Sequence, residues 1–165
     1  RIDKPTTIKA LAYNPKNREK TSVKEMYFDI SKKDWKVLKV SAGKLGDAHR
    51  LIDDNPNSTW ASAASDTAVE VIVDLGEVQR LQGFTYMPVR GRWPVGIVSQ
   101  YEFSISRDNK TWSVAATGEF ANIKNNPIKQ TVSFKTTKAR FIKLKGVKII
   151  DDDKRMSVGE IGVIS

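Results

Sequence analysis

Alternation of inward and outward positions dominates this chain. It is clearest at Val69, Val71, Val73 and Leu75, interleaved with Glu70, Ile72 and Asp74 and stopped by Gly76. A period of two sends successive side chains to opposite faces of a strand, whereas an amphipathic helix needs a period of 3.6. The same pattern predicts strands at 81–86, 101–106, 129–134, 140–144 and 157–164. Turn chemistry separates them: Arg107-Asp108-Asn109-Lys110 runs into Trp112, and Asn125-Asn126-Pro127 follows later. No stretch carries a convincing helical pattern. Many short strands without helices between them predict an all-β chain, built as an antiparallel β-sandwich or jelly roll.

The first 30 residues form a separate unit. Ile8, Ala10 and Ala12 alternate, Asn14-Pro15-Lys16-Asn17 turns, and Met26, Phe28 and Ile30 alternate again. That predicts a β-hairpin, which is only marginally stable alone. The expected organisation is a hairpin over 1–30, left from the end of an upstream β-domain, a linker over 31–37 and a main domain over 38–165. The chain opens on Arg1 rather than Met, which reads as a piece of something larger.

Charge narrows the partners. The net charge of +9 invites a nucleic-acid reading, but residues 1–50 hold 13 Lys/Arg against 6 Asp/Glu, and the remainder is nearly balanced. No basic stripe interleaved with aromatics runs through the main domain, so no nucleic-acid partner is expected. With no Cys, neither disulfides nor thiolate chemistry is available. No apolar run approaches the length needed to span a bilayer.

One loop carries candidate chemistry. Asp53, Asn55 and Ser58 put three oxygen-bearing side chains in the non-helical segment Ile52-Asp53-Asp54-Asn55-Pro56-Asn57-Ser58-Thr59-Trp60. Hard oxygens on a tight loop suit a calcium-sized cation, and Glu160 on the last predicted strand can join them. A plainer reading of the same string is an Asx-rich turn.

With that loop, Val73-Asp74-Leu75-Gly76, Phe84-Thr85-Tyr86-Met87-Pro88, Tyr101-Glu102-Phe103-Ser104-Ile105-Ser106 running to Thr111-Trp112, Ala139-Arg140-Phe141-Ile142-Lys143-Leu144 and Glu160-Ile161-Gly162-Val163 occur in order from about residue 38. Together they resemble the discoidin, or coagulation factor type C, family. The chain is similar to its family 32 carbohydrate-binding modules, as found at the C-terminus of bacterial exo-glycosidases of the chitobiase or fucosidase type. The resemblance implies a discoidin-like jelly roll and a structural calcium, held by Asp53, Asn55, Ser58 and Glu160 with the carbonyls of Arg50 and Gly159. Asp54 departs from the pattern, standing where the family usually has Gly.

The ligand face departs further. Galactose-binding members commonly use a His, an aromatic, an Arg and an Asn, where this chain has Ala61, Ala64, Val89 and Val95. In that region stands Val89-Arg90-Gly91-Arg92-Trp93-Pro94 instead. An indole plane suits the C–H face of a sugar, and guanidinium groups suit its hydroxyls. The expected carbohydrate site is therefore Trp93 with Arg90, Arg92, Tyr86 and Asp152, the last from the acidic run Asp151-Asp152-Asp153. Trp60 and Trp112 are expected in the core, and Trp35 at the domain edge.

His49 is the only histidine, and the carboxylates fall at turns, so the chain is read as non-catalytic. The expected function is a carbohydrate-binding accessory module of a larger glycoside hydrolase, in a bacterial periplasm, on a cell surface or secreted. Its expected partners are a glycan or polysaccharide and an upstream catalytic domain in the same chain. The alternative is a structural or interdomain interaction module whose sugar site has been lost. Membrane binding ranks last, because Trp93 between two arginines is its only support.

Overall fold

The computed structural model describes residues 6–55, 57–91 and 94–165, and all side chains among them except those of 26–28. Ten strands follow one another with two short 3-10 turns and no α-helix among the described residues. They are β1 (Thr6–Ala10), β2 (Lys24–Phe28), β3 (Lys36–Val40), β4 (Trp60–Ala61), β5 (Val69–Met87), β6 (Val98–Ser106), β7 (Trp112–Glu119), β8 (Gln130–Ile149), β9 (Ser157–Val158) and β10 (Glu160–Ile164). The all-β antiparallel sandwich expected from the alternation is the fold observed.

Two long strands build both layers. The sequence breaks β5 at Gly76, yet the strand continues to Met87. Its first half pairs with β8 from Val69↔Gly146 to Asp74↔Phe141, and its second from Gln79↔Ala139 to Tyr86↔Gln130, with the register shifting between. Gly76 marks that bend at φ +84, and a Cβ there would lie 2.9 Å from the Asp34 Cβ. The two strands expected at 129–134 and 140–144 likewise merge into β8. One layer thus holds β3, half of β5, half of β8, β6 and β7, and the other holds the remaining halves with β10.

Aromatic rings close the space between the layers. Phe84 of β5 stacks on Phe103 of β6 with centroids 4.1 Å apart and planes within 2°, and meets Tyr101 edge-on at 5.3 Å. Phe84, Phe103 and Tyr86 are fully buried. Burying each such ring stabilises the fold by about 1.5–3 kcal/mol. Val69, Val71, Val73 and Leu75 all face this core, as their alternation predicts. Trp60 is buried as expected, and Trp112 is half-buried beneath the Lys143 ammonium. Trp35, expected at the domain edge, is instead only 6% exposed and belongs to the core.

The predicted Arg107–Lys110 turn is present and held by Asp108. Its Oδ1 accepts the N–H groups of Thr111 at 2.8 Å and Lys110 at 2.9 Å, which pushes its carboxyl down to about 2.

At the N-terminus β1 and β2 pair from Thr6↔Phe28 to Ala10↔Lys24 as a two-stranded sheet of their own. The segment after them is fastened to the sandwich. Asp29 accepts the Ser165 hydroxyl at 2.7 Å, and Lys32 bonds Glu160, so residues 29–32 run beside β10 in the opposite direction. β3 then begins at Lys36, inside the stretch expected as linker.

Candidate functional site

Four loops are stitched together at one end of the sandwich. Ser62 N–H donates to Met156 O at 2.9 Å and Ser65 N–H to Lys154 O at 2.8 Å, joining the loop after β4 to the loop before β9. Ser157 N–H donates to Gly96 O at 2.7 Å and Ile150 N–H to Ile97 O at 2.8 Å, adding the loop between β5 and β6. Lys124 pairs with Asp151 at 2.5 Å, adding the loop between β7 and β8. Gly96 is required at its position. Its φ is +78, and a Cβ would come within 2.6 Å of Ser157 Oγ and 2.9 Å of Arg155 O.

The loop after β4, the end of β8 and the loop before β9 surround a cavity of about 270 Å³, lined by Ser65, Asp66, Thr67, Lys148, Asp152 and Lys154 among others. Asp66 pairs with Lys154 at 2.5 Å and Asp153 with Arg155 at 3.0 Å. Asp153 is held below the usual carboxylate range, chiefly by the Arg155 guanidinium. Lys124, Lys154 and Arg155 were missed by sequence reasoning, because their partners lie on other loops or in a charge run that resembles an ordinary solvated turn.

The sugar-site residues expected from the sequence divide. Arg92 and Trp93 lie outside the described residues. Arg90 is exposed, with a guanidinium nitrogen 3.1 Å from Met87 Sδ. Asp152 is exposed at the same end, at φ +53. Tyr86 requires correction: it is fully buried, stacked on Phe120 at 5.1 Å, and presents nothing to a ligand. Its hydroxyl accepts Val98 N–H at 3.1 Å and donates to Ser157 O at 3.2 Å. Burial pushes its phenol far above the usual range, so it stays a donor. Ala61, Ala64 and Val95 are exposed.

The predicted cation loop leaves the first 3-10 turn (Ala48–Leu51), whose Leu51 is fully buried and anchors it. The Asx turn of the plainer reading is present. Asp53 Oδ1 accepts Asn55 N–H at 3.0 Å and Ser58 Oγ–H at 2.9 Å, and Asn55 Oδ1 accepts Asn57 N–H at 3.0 Å. That turn gathers the side-chain oxygens of Asp53, Asn55 and Ser58. Gly159 stands just before β10, where its N–H donates to Met87 O at 2.8 Å and a Cβ would press on Pro88 O at 3.1 Å.

Glu160 follows, and its side chain is 17% exposed. Burial pushes its carboxyl up to about 7 against the pull of Lys32, with Asp54 and Asp53 raising it further. Its Oε2 is buried and bonded to none of the described residues. Among the described residues no three acidic, imidazole or thiol side chains form a metal-holding group by themselves. Lys32 bridges Asp54 and Glu160, and Asp53 is near enough to raise the Glu160 carboxyl, so the structure brings the loop and β10 together at these carboxylates.

His49 is exposed, with Nδ1 3.3 Å from Gly46 O. At the loop end Asp66, Asp151 and Asp153 are each tied to a cation. No helix among the described residues is long and apolar enough to cross a membrane.

Known structures share this fold. The module CpGH89CBM32-5 from Clostridium perfringens, solved in complex with GalNAc-β-1,3-galactose, superposes with a TM-score of 0.70 at 21% identity, over 80% of this chain and 96% of that one. CBM32-3, from a family 31 glycoside hydrolase of Clostridium perfringens, gives a TM-score of 0.72 at 21% identity, over 82% and 94%. The C-terminal domain of a chitobiase from Bacteroides fragilis gives 0.69 at 23% identity, over 81% and 95%. No curated protein sequence matches. The F5/8 type C domain profile matches residues 39–161, from within β3 into β10, and the chain belongs to that family.

Proposed function

We propose that this chain is a non-catalytic carbohydrate-binding module, accessory to an extracytoplasmic bacterial glycoside hydrolase. The observation that carries this reading is the convergence of four loops on one end, two of which line a small cavity of mixed charge. Asp152 lines that cavity, Arg90 is exposed on the loop joined to it through Gly96, and Trp93 lies three positions after Arg90 in the sequence. Two structural neighbours, a module solved with GalNAc-β-1,3-galactose and a chitobiase C-terminal domain, point the same way. In this reading Trp93 stacks on a sugar ring, Arg90 and Arg92 donate to hydroxyls, and Asp152 accepts from them. The module raises the local concentration of substrate for a catalytic domain in the same chain.

The same proposal assigns a structural calcium to Asp53, Asn55, Ser58 and Glu160, with the carbonyls of Arg50 and Gly159. The support is the all-oxygen donor set and the buried, unbonded Glu160 Oε2. Such an ion would lock the loop to β10.

A glycan array screened with calcium present, on the parent chain and on Trp93→Ala, tests the carbohydrate reading. Binding by the parent and its loss in a folded Trp93→Ala variant is the expected result. Silence from both favours a structural interdomain module, the reading that exposed Ala61, Ala64 and Val95 support.

A further inference from the structure

Lys32 reaches the cation loop from outside the family-matched region. Its Nζ lies 2.8 Å from Asp54 Oδ1 and also bonds Glu160 Oε1. The Lys32 side chain is only 12% exposed, and its ammonium lies 5.5 Å from the centre of the Trp35 ring. Lys32, Trp35, Asp54, Thr85, Glu160 and Gly162 line one cleft of about 720 Å³ between residues 29–35 and β10.

Two features of the loop meet here. Asp54 sits at φ +55, in the left-handed region that Asp and Asn visit more readily than other residues with a Cβ. Its carboxylate meets the Lys32 ammonium there. Glu160 divides its oxygens: Oε1 is held by Lys32, while Oε2 is buried without a partner.

We infer that Lys32 and Asp54 form a positioning clamp that turns the free oxygen of Glu160 toward a divalent cation, so that the 29–35 segment becomes the outer layer of the cation site. This rests on the calcium proposal above. Lys32 does not touch the ion; it fixes the carboxylate that does, as outer partners of metal ligands do. Because one carboxylate serves both Lys32 and the ion, cation binding and fastening of the 29–35 segment reinforce one another.

The test is calcium titration calorimetry on the parent chain, Lys32→Met and Asp54→Gly, with hydrogen exchange of residues 29–35 measured with and without calcium. The parent is expected to bind calcium and to gain protection over 29–35. Lys32→Met is expected to bind about tenfold or more weakly and to show no calcium-dependent protection there. Asp54→Gly relieves the backbone strain, so weaker calcium binding in that variant would come from loss of the clamp and not from damage to the loop. A parent that binds calcium while Lys32→Met binds equally or more tightly overturns the clamp and leaves the calcium site standing. Calcium-induced loosening of 29–35 overturns it in favour of competition for Glu160. A parent that binds no calcium overturns the calcium proposal itself, and the clamp with it.

Discussion

Arg140 grips Asp74 with two parallel hydrogen bonds, Nε to Oδ1 at 2.8 Å and Nη2 to Oδ2 at 2.9 Å, beside the bend that carries β5 and β8 from one layer to the other. The Asp74 side chain is 12% exposed and also accepts Gly76 N–H at 2.8 Å, so the pair fixes the residue at which the sheet turns. Its carboxyl is held below the ordinary range by the Arg140 hydrogen bonds, which outweigh burial. A folded value below the unfolded one means that the stabilisation is fully present above about pH 4 and is lost as pH falls through the folded value.

Arg140→Met should therefore lower the stability of the chain at neutral pH, by an amount kept modest by solvent screening of the exposed guanidinium. Urea unfolding at several pH values checks this. The gap between parent and variant should narrow below about pH 4. A gap that stays constant into acid would show that the side chain matters for packing and not for its charge.

Tyr86→Phe gives the opposite kind of signal. The ring keeps its stacking on Phe120, but Val98 N–H and Ser157 O lose their shared partner in a dry interior. The expected cost is about 1–3 kcal/mol, read as a lower Tm, with glycan affinity unchanged. Lost binding in a fully folded variant would return Tyr86 to the ligand site.

The parts legible in the sequence are those whose physics is local. Alternation at Val69–Leu75 reports burial directly, and the Asp108 turn is written in four adjacent residues. Gly76 was misread because a glycine that ends a strand and one that bends it look alike. Only Asp34, packed against it from 42 positions away, distinguishes them. β7 escaped notice because Ala115 and Ala116 sit where alternation would need larger residues, and much of the strand is exposed. Tyr86 looked like a surface aromatic because its two polar partners come from elsewhere in the chain. Lys32 looked like linker for the same reason: Glu160 is 128 residues away.

Phe84→Ala should test whether the two layers depend on their ring stack. The variant removes a fully buried ring that touches both Phe103 and Tyr101, and backbone pairing on either side restrains collapse of the space. The expected loss is about 3–5 kcal/mol, large against the whole stability of an ordinary domain. Thermal unfolding by circular dichroism should show a drop of many degrees or no cooperative transition. A small drop would show that neighbouring side chains refill the gap.

Gly96→Ala separates the scaffold of the loop end from its chemistry. Gly96 carries no functional group, yet its φ of +78 and its contacts with Arg155 and Ser157 hold the loop that bears Arg90 against the loop that bears Asp152. A methyl group there must either strain the backbone or push the two loops apart, at about 2–3 kcal/mol. If the glycan site spans both loops, affinity should fall even at temperatures where the variant is fully folded, because the arginine and the aspartate no longer share one geometry. If one loop carries the site alone, Tm should drop while affinity holds. Measuring both quantities on the same sample therefore tells whether the binding surface is a single loop or the junction of two.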